Sequence, residues 1–344
     1  MASDPVARWE VTSFGDDGFV RRTTPPIGSL GPTDVRLRML AWTVNPRDRL
    51  MARGVYDPRI ALPYVPLSDG VGAVVEVGSA VTRVAIGDRA APTFSPGWIA
   101  GPPDYAAVRR TRGGPVPGVL AEEIVLPEAE VVKVPAFLSP VEAACLPCVG
   151  VTAWSAVVTF GAVAPGSTVL VLDSGGVAVL ALQIARMAGA RVAAITSSEG
   201  KAETLRSLGA DHVVLRTAEP RWGRAVRRWA DGGVDLVVET GGAATLGESL
   251  DAVRVGGTVA IIGVVAGHRH PVDVLPILMR QIRCQGVFVG PRAAFEDLVR
   301  ACTRHDLRPH VHATFPFAEA PRAVSSDDPA RVGKVGIVRN EGAG

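Results

Sequence analysis

Thr168-Val169-Leu170-Val171-Leu172-Asp173-Ser174-Gly175-Gly176-Val177-Ala178 is the stretch on which the reading of this chain turns. Its first five residues carry no charge and are mostly branched and apolar, the character of a strand buried on both faces. A polar, glycine-bearing turn follows at once. From Gly176 to Ala188 the one charge is Arg186, which predicts a helix buried on most of its surface. Strand, glycine turn and buried helix in this order suit a dinucleotide. Such a site needs a tight turn, a glycine that lets the backbone approach a pyrophosphate, and a small residue where helix meets strand. Gly175 fills the second role and Ala178 the third, and the N-terminus of the helix offers unspent N–H groups to phosphate. Asp173 stands where the first glycine belongs. Its carboxylate is set against a pyrophosphate, and it lacks glycine's backbone freedom.

The alternation continues downstream. Arg191 to Thr196 reads as the next strand, Lys201 to Leu208 as an amphipathic helix stopped by Gly209, and His212 to Leu215, Val234 to Val238 and Thr258 to Val265 as further strands with helices between. Strands and helices in alternation predict a parallel sheet covered on both faces. The second strand runs into Ser197-Ser198-Glu199-Gly200-Lys201, where an acid would bind a ribose 2′-hydroxyl and favour NAD. Ser197, Ser198 and Lys201 suit a 2′-phosphate instead, and Glu199 falls on the first turn of the helix, where acids are favoured by the helix dipole. The balance favours NADPH over NADH.

Upstream, Ala143 to Leu172 carries no charge, but Pro147, Gly150, Gly161, Pro165 and Gly166 interrupt it. A membrane span needs about 20 apolar residues in continuous helix, so this stretch is read as buried helix, turn and buried strand. The first 135 residues are β-rich, with runs such as Val35 to Leu40, Gly72 to Val77 and Val125 to Pro127 between Gly/Pro turns. Strand runs return at Val311 to Phe317 and Val332 to Val338. The fold class is α/β: a β-rich domain from residues 1–135 and 291–344, with a doubly wound domain, residues 136–290, inserted between them.

Composition bounds the rest. The 344 residues hold 36 Lys and Arg against 34 Asp and Glu, with 47% apolar residues. A net charge of +2 without a polybasic run argues against nucleic acid or an anionic membrane as partner. Four cysteines are too few for a disulfide framework, and Met1 to Phe14 has no apolar core of signal-peptide length. A soluble, cytoplasmic protein is expected. Cys145-Leu146-Pro147-Cys148 is read as a pair of buried thiols, and His305, His310 and His312 as solvated or hydrogen-bonded histidines.

Short motifs along nearly the whole chain resemble one family. They include Pro66-Leu67-Ser68-Asp69-Gly70-Val71-Gly72, Val84-Ala85-Ile86-Gly87-Asp88-Arg89, Gly118-Val119-Leu120-Ala121-Glu122, Thr152-Ala153-Trp154, Leu208-Gly209-Ala210-Asp211-His212 and Gly333-Lys334-Val335. In this order they resemble the medium-chain dehydrogenase/reductase superfamily, in particular its zinc-free, quinone-oxidoreductase-like branch. The resemblance implies a GroES-like catalytic domain from both chain ends, a Rossmann domain, an active cleft between them, and homodimers formed through an edge strand near Arg283 to Val289. Zinc-dependent members hold a catalytic zinc with Cys, His and Cys. Those positions look like Asn45, Ser68 and Cys148 here, so neither a catalytic nor a structural zinc is expected.

For the site, the resemblance points to Asn45, in Asn45-Pro46-Arg47-Asp48, to orient substrate or nicotinamide, and to Tyr56 as proton donor or carbonyl-binding hydroxyl. Expected cofactor contacts are Thr152, Ser174, Gly175, Gly176, Val177, Ser197, Ser198, Lys201, Thr240, Gly263, Val264, Phe288, Val289 and Lys334. The implied activity is zinc-independent hydride transfer from NADPH to an activated alkene, quinone or carbonyl of a hydrophobic small molecule. Asp173 keeps a second reading open, a redox-silent cyclase, isomerase or binding protein that has lost its cofactor.

Overall fold

In the computed structural model, which describes residues 5–25 and 27–339, the chain divides into two units. The first comprises the residues up to Cys148, Gly290–Asp328 and those from Lys334 onward. The second comprises Val149–Val289 and Pro329–Gly333.

In chain order the first unit supplies strands β1 (Val6–Val11), β2 (Phe19–Thr24), β3 (Asp34–Val44), β4 (Asp69–Val77), β5 (Arg89–Pro92), β6 (Glu123–Pro127) and β7 (Val131–Lys133). The second supplies β8 (Thr168–Leu172), β9 (Arg191–Thr196), β10 (His212–Leu215), β11 (Val234–Glu239), β12 (Val253–Ile261) and β13 (Arg283–Gly286). The first then adds β14 (Val311–Pro316) and β15 (Lys334–Val338).

In the first unit β1 pairs with β2, and seven strands form a sheet in the order β14-β15-β3-β4-β5-β7, with β6 also on β3. The long β3 is its spine. Val35, Leu37, Met39 and Trp42 from it are buried against Leu67, Leu120, Phe317 and Ile337. The Trp42 ring sits 4.9 Å from that of Phe317, and its Nε1 donates to Val119 O at 2.6 Å, so the buried indole leaves no donor unpaired.

The second unit is a six-stranded sheet in the order β10-β9-β8-β11-β12-β13, every pair parallel. This is the strand order of a dinucleotide-binding domain. Val169, Leu170 and Val171 of the central strand are fully buried, as the uncharged run requires.

The structure departs from the sequence reading in three places. The first unit reaches Cys148 rather than ending at residue 135, because the short helix Pro140–Ala143 packs on β3, β4 and β15, and Pro329–Gly333 falls in the second unit rather than the first, bonded there to Ser174. The uncharged stretch holds wide π-helical turns at Leu146–Gly150 and Ser155–Phe160 on either side of Val151–Trp154. Finally, β12 starts at Val253 and stops at Ile261, where its ladder with β11 ends at Glu239. No helix among the described residues is long and apolar enough to cross a membrane.

Candidate functional site

In the second unit, β8 ends at Leu172 and the chain turns through Asp173 at φ 67°, a left-handed conformation. Aspartate tolerates it by bonding to its own turn: Asp173 Oδ1 accepts the Ser174 N–H at 2.8 Å. Ser174 is buried, with its hydroxyl donating to Arg331 O at 3.1 Å and its carbonyl accepting the Gly333 N–H at 2.7 Å. It pins the turn from within. Gly175, by contrast, is exposed, and a Cβ built there would meet nothing within 4 Å. It caps helix α2 (Gly176–Met187), whose first internal bond runs from Val179 N to Gly175 O. The N–H groups of Gly176, Val177 and Ala178 precede that bond and are not spent on the helix, though that of Gly176 faces Gly333 across a parallel bridge. An open glycine beside the two remaining donors fits a dinucleotide pyrophosphate.

The strand order reverses between β8 and β11, the place where ligands bind in open parallel sheets. Thr240 ties the two strand ends together, its hydroxyl donating to Leu172 O at 2.8 Å. Glu239 is buried beneath the following loop and accepts from Gly241 N at 2.7 Å, Gly242 N at 3.0 Å, the Thr245 hydroxyl at 2.7 Å and the Ser249 hydroxyl. Gly263 passes so close that a Cβ would meet Thr240 O at 2.3 Å, while Val264 is exposed. Thr152 is buried and Phe288 half-buried, and Val289 adopts φ 42°. At the end of β9, Ser197 is half-buried and Ser198 caps helix α3 (Glu199–Ser207), which carries Lys201. Glu199 lies on the first turn of α3 and pairs with Arg206 at 2.5 Å, so its charge is used locally. Arg216, passed over in the sequence, is exposed and follows β10, its N–H donating to Thr196 O at 2.9 Å beside Ser197. The parallel pairing of two predicted strands could have signalled it.

The first unit holds a different kind of cluster. Asn45, Ser68, Asp69 and Lys334 are at most 3% exposed. Lys334 Nζ donates to Asn45 Oδ1 at 2.6 Å and Val44 O at 2.8 Å, and lies 3.5 Å from Asp69 Oδ2. Asn45 Nδ2 donates to Asp69 Oδ2 at 2.9 Å and Ser68 Oγ at 3.3 Å, and Ser68 donates to Asp69 Oδ1 at 3.1 Å. Burial pushes the Asp69 carboxyl upward, against the pull of the Lys334 ammonium. The carboxamide of Asn45 therefore has no free end for substrate or nicotinamide, and the Lys334 amine points into the cluster, not at a cofactor. Both expected roles are revised on that ground.

Asn45 also caps helix α1 (Pro46–Ala52). Asp48 Oδ2 accepts the Asn45 N–H at 2.7 Å, a capping box that Asn-x-x-Asp spells out in the sequence. Asp48 is wholly buried, and burial raises its pKa to about 6. Arg47, between them, spreads over the rings of Phe94 at 5.0 Å and Tyr56 at 5.4 Å, and donates to Arg112 O and Thr111 Oγ1. Tyr56 is 53% exposed. Trp98 is buried and packs, its Nε1 donating to Gly101 O. Cys145 and Cys148 are buried, and burial raises the pKa of both thiols. His312 meets Asp328 at 2.8 Å.

The donors at the family's zinc positions do not suit the metal. Asn45 offers a neutral carbonyl already taken by an ammonium and Ser68 a hydroxyl bonded to Asp69, which leaves Cys148 alone of the three as a residue type that zinc uses. A catalytic zinc asks for three thiolate, imidazole or carboxylate ligands with one open position. Among the described residues no group of three or more His, Cys, Asp or Glu could hold a metal ion.

Comparison with known proteins agrees with the architecture. Residues 31–136 match the family model of the alcohol dehydrogenase GroES-like domain, and residues 176–304 that of the zinc-binding dehydrogenases. The chain is 35% identical over 316 residues to a zinc-type alcohol dehydrogenase-like protein of Schizosaccharomyces pombe, covering 89% of this chain and 91% of that one. It is 32% identical to a 2-haloacrylate reductase of a Burkholderia species, covering 90% and 91%. The crystal structure of a candidate alcohol dehydrogenase from Sinorhizobium meliloti 1021 superposes with a TM-score of 0.92 at 38% identity, covering 98% of this chain and all of that one. With both domain models in order and such likeness over nine-tenths of its length, the chain belongs to the medium-chain dehydrogenase/reductase superfamily.

Proposed function

We propose that this protein is an NADPH-dependent oxidoreductase that works without zinc and reduces an activated alkene, quinone or carbonyl of a hydrophobic small molecule. The observation that carries the reading is the open turn at Gly175, with its unspent helix N-terminal donors where the strand order reverses. When bound, NADPH supplies the hydride. The chain holds the pyrophosphate at Gly175, Gly176 and Val177, and Ser197, Ser198, Lys201 and Arg216 recognise the 2′-phosphate. Pairing of Glu199 with Arg206 supports this choice over NADH, because the acid that would serve a free ribose is engaged elsewhere. Tyr56 gives the proton or polarises the carbonyl. Likeness to a 2-haloacrylate reductase favours an alkene conjugated to a carbonyl group. The mismatch at Asn45 and Ser68, which leaves Cys148 without partner ligands, supports a reaction independent of zinc.

The working protein is a cytoplasmic homodimer in this reading. The exposed edge strand β13, pairing only with β12 among the described residues, supports the dimer, as do the exposed Val264, Val265, Leu275, Leu278 and Met279 of the same unit. Titration of the purified protein with NADPH, and separately with NADH, tests the cofactor. Micromolar binding of NADPH with weaker NADH, followed by oxidation of NADPH with enones or quinones, is the expected result. A folded sample that binds neither sinks the reading. The charge of Asp173 would then mark an abandoned cofactor site, and redox-neutral chemistry would take its place.

A further inference from the structure

The first unit contains a buried cation that the proposed chemistry leaves without a task. Lys334 is 3% exposed, and an ammonium has three N–H donors. All three have acceptors inside the protein: Val44 O, Asn45 Oδ1 and, more distantly, Asp69 Oδ2. Asn45 and Ser68 occupy two of the positions at which zinc-dependent members of the superfamily hold their metal. We propose that Lys334 is a positioning residue that replaces the metal as the organising cation of this cluster. It orients the Asn45 carboxamide, neutralises Asp69 and, through Asn45, sets the first turn of α1, from which Arg47 reaches Tyr56 and Phe94.

Charge and hydrogen-bond direction both support this. The groups that accept from the ammonium are two neutral carbonyls and one carboxylate, and the second buried carboxylate nearby, Asp48, has the Arg47 guanidinium 3.8 Å away, so a single positive charge at Lys334 leaves the buried site neutral. A divalent ion would leave it with an excess charge out of contact with water. A carboxamide has an accepting end and a donating end, and an ammonium only donates. Oδ1 must therefore face Lys334, which turns Nδ2 toward its acceptors, Asp69 Oδ2 and Ser68 Oγ. From Asn45 the chain of contacts is short. Its backbone is boxed to Asp48, and Arg47 lies between the two with its guanidinium on the Phe94 and Tyr56 rings.

The test uses the full-length protein in three forms: Lys334→Met, Lys334→Met with Asp69→Asn, and wild type. Loss of the ammonium strands a buried carboxylate, so Lys334→Met should lower the melting temperature by at least roughly 5 °C. Adding Asp69→Asn should recover at least about half of that loss, since it removes the stranded charge. If Lys334 only fills space, the second substitution will add to the first, and the proposal fails. After equilibration with zinc chloride and dialysis, wild type should retain well under one zinc per chain by elemental analysis. Retention of one equivalent that Cys148→Ser removes would overturn the proposal, because metal and ammonium cannot share Asn45 Oδ1. A kinetic arm rests on the oxidoreductase reading and uses the double variant. Its kcat with an enone should fall about tenfold while its Kd for NADPH stays within about threefold of wild type. A large rise in Kd with unchanged kcat would make Lys334 a cofactor contact instead. Should wild type reduce no enone, the melting and zinc arms still decide the proposal, and only the function reading is lost.

Discussion

The Asn45–Lys334 cluster of the first unit and the Asp173–Val177 turn of the second were both marked in the sequence as places where ligands bind, and they are built in opposite ways. In the cluster, Asn45, Ser68, Asp69 and Lys334 spend their donors and acceptors on one another. At the turn, Ser174 is tied down while the residues after it are left open. Saturation marks a cluster that shapes its surroundings, and unspent donors on a rigid base mark a place for a ligand. The two can be told apart experimentally, because damage to the first should appear in stability and damage to the second in affinity.

The largest effect expected from breaking this contrast comes from Gly175. A Cβ at this position meets no atom within 4 Å, so Gly175→Val should leave the melting temperature within a few degrees of wild type. In the proposed function the same side chain occupies the space the pyrophosphate needs. NADPH affinity should fall at least ~100-fold, about 2.7 kcal/mol. Unchanged affinity in calorimetric titration would mean that the nucleotide does not bind at this turn.

The saturated side is probed next through Asp48. Burial raises its pKa to about 6, with Asp69 adding to the rise and Arg47 opposing it. The unfolded carboxyl titrates near 4. A folded pKa above the unfolded one means that stability is fully present below pH ~4 and is lost as pH rises through about 6. Asp48→Asn keeps an acceptor for the Asn45 N–H and abolishes this titration. Between pH 4 and 7.5, denaturant midpoints should move in the variant's favour by the equivalent of roughly 2 kcal/mol. Parallel profiles for the two proteins would show that Asp48 does not titrate in this range.

Asp173 sharpens the comparison because its two effects at the open turn separate. Asp173→Asn keeps the bond to the Ser174 N–H and tolerates the left-handed φ of 67°, while removing the charge. If the carboxylate opposes the pyrophosphate, NADPH should bind up to ~10-fold more tightly in the variant. Added salt should narrow that gap by screening. A gain seen with Asp173→Gly but not with Asp173→Asn would assign the penalty to backbone strain instead.

The second unit was legible in the sequence almost strand by strand, because buried parallel strands are uncharged branched runs and the helices between them are amphipathic. Thr168–Leu172 and His212–Leu215 have the predicted limits, and Glu199 sits on its helix as expected. The cluster in the first unit was not legible. Its members lie at or just beyond the end of β3, the start of β4 and the start of β15, strands that pair across large sequence separations, and sequence spacing cannot show that Lys334 meets Asn45. Only the Asn-x-x-Asp capping box was written locally, and it was passed over. Gly333-Lys334-Val335 points to the cofactor only through its likeness to a family motif. The burial of Lys334 among acceptors became visible only once β15 lay against β3.

The smallest effect expected falls on Arg216, which is tied to the site only by the pairing of β10 with β9. The Arg216 N–H bond to Thr196 O starts this exposed side chain next to Ser197, Ser198 and the first turn of α3. An arginine there adds charge-assisted donors for a 2′-phosphate and much less for an uncharged ribose hydroxyl. Arg216→Ala should therefore weaken NADPH about fivefold, roughly 1 kcal/mol, and leave NADH unchanged. The loss is small because Ser197, Ser198 and Lys201 remain and the site is open to water, which also predicts that it fades at high salt. Equal weakening of both nucleotides would place Arg216 near the adenine or the pyrophosphate. No weakening of either would leave discrimination to Ser197, Ser198 and Lys201 and make the selectivity of the turn a property of α3 alone.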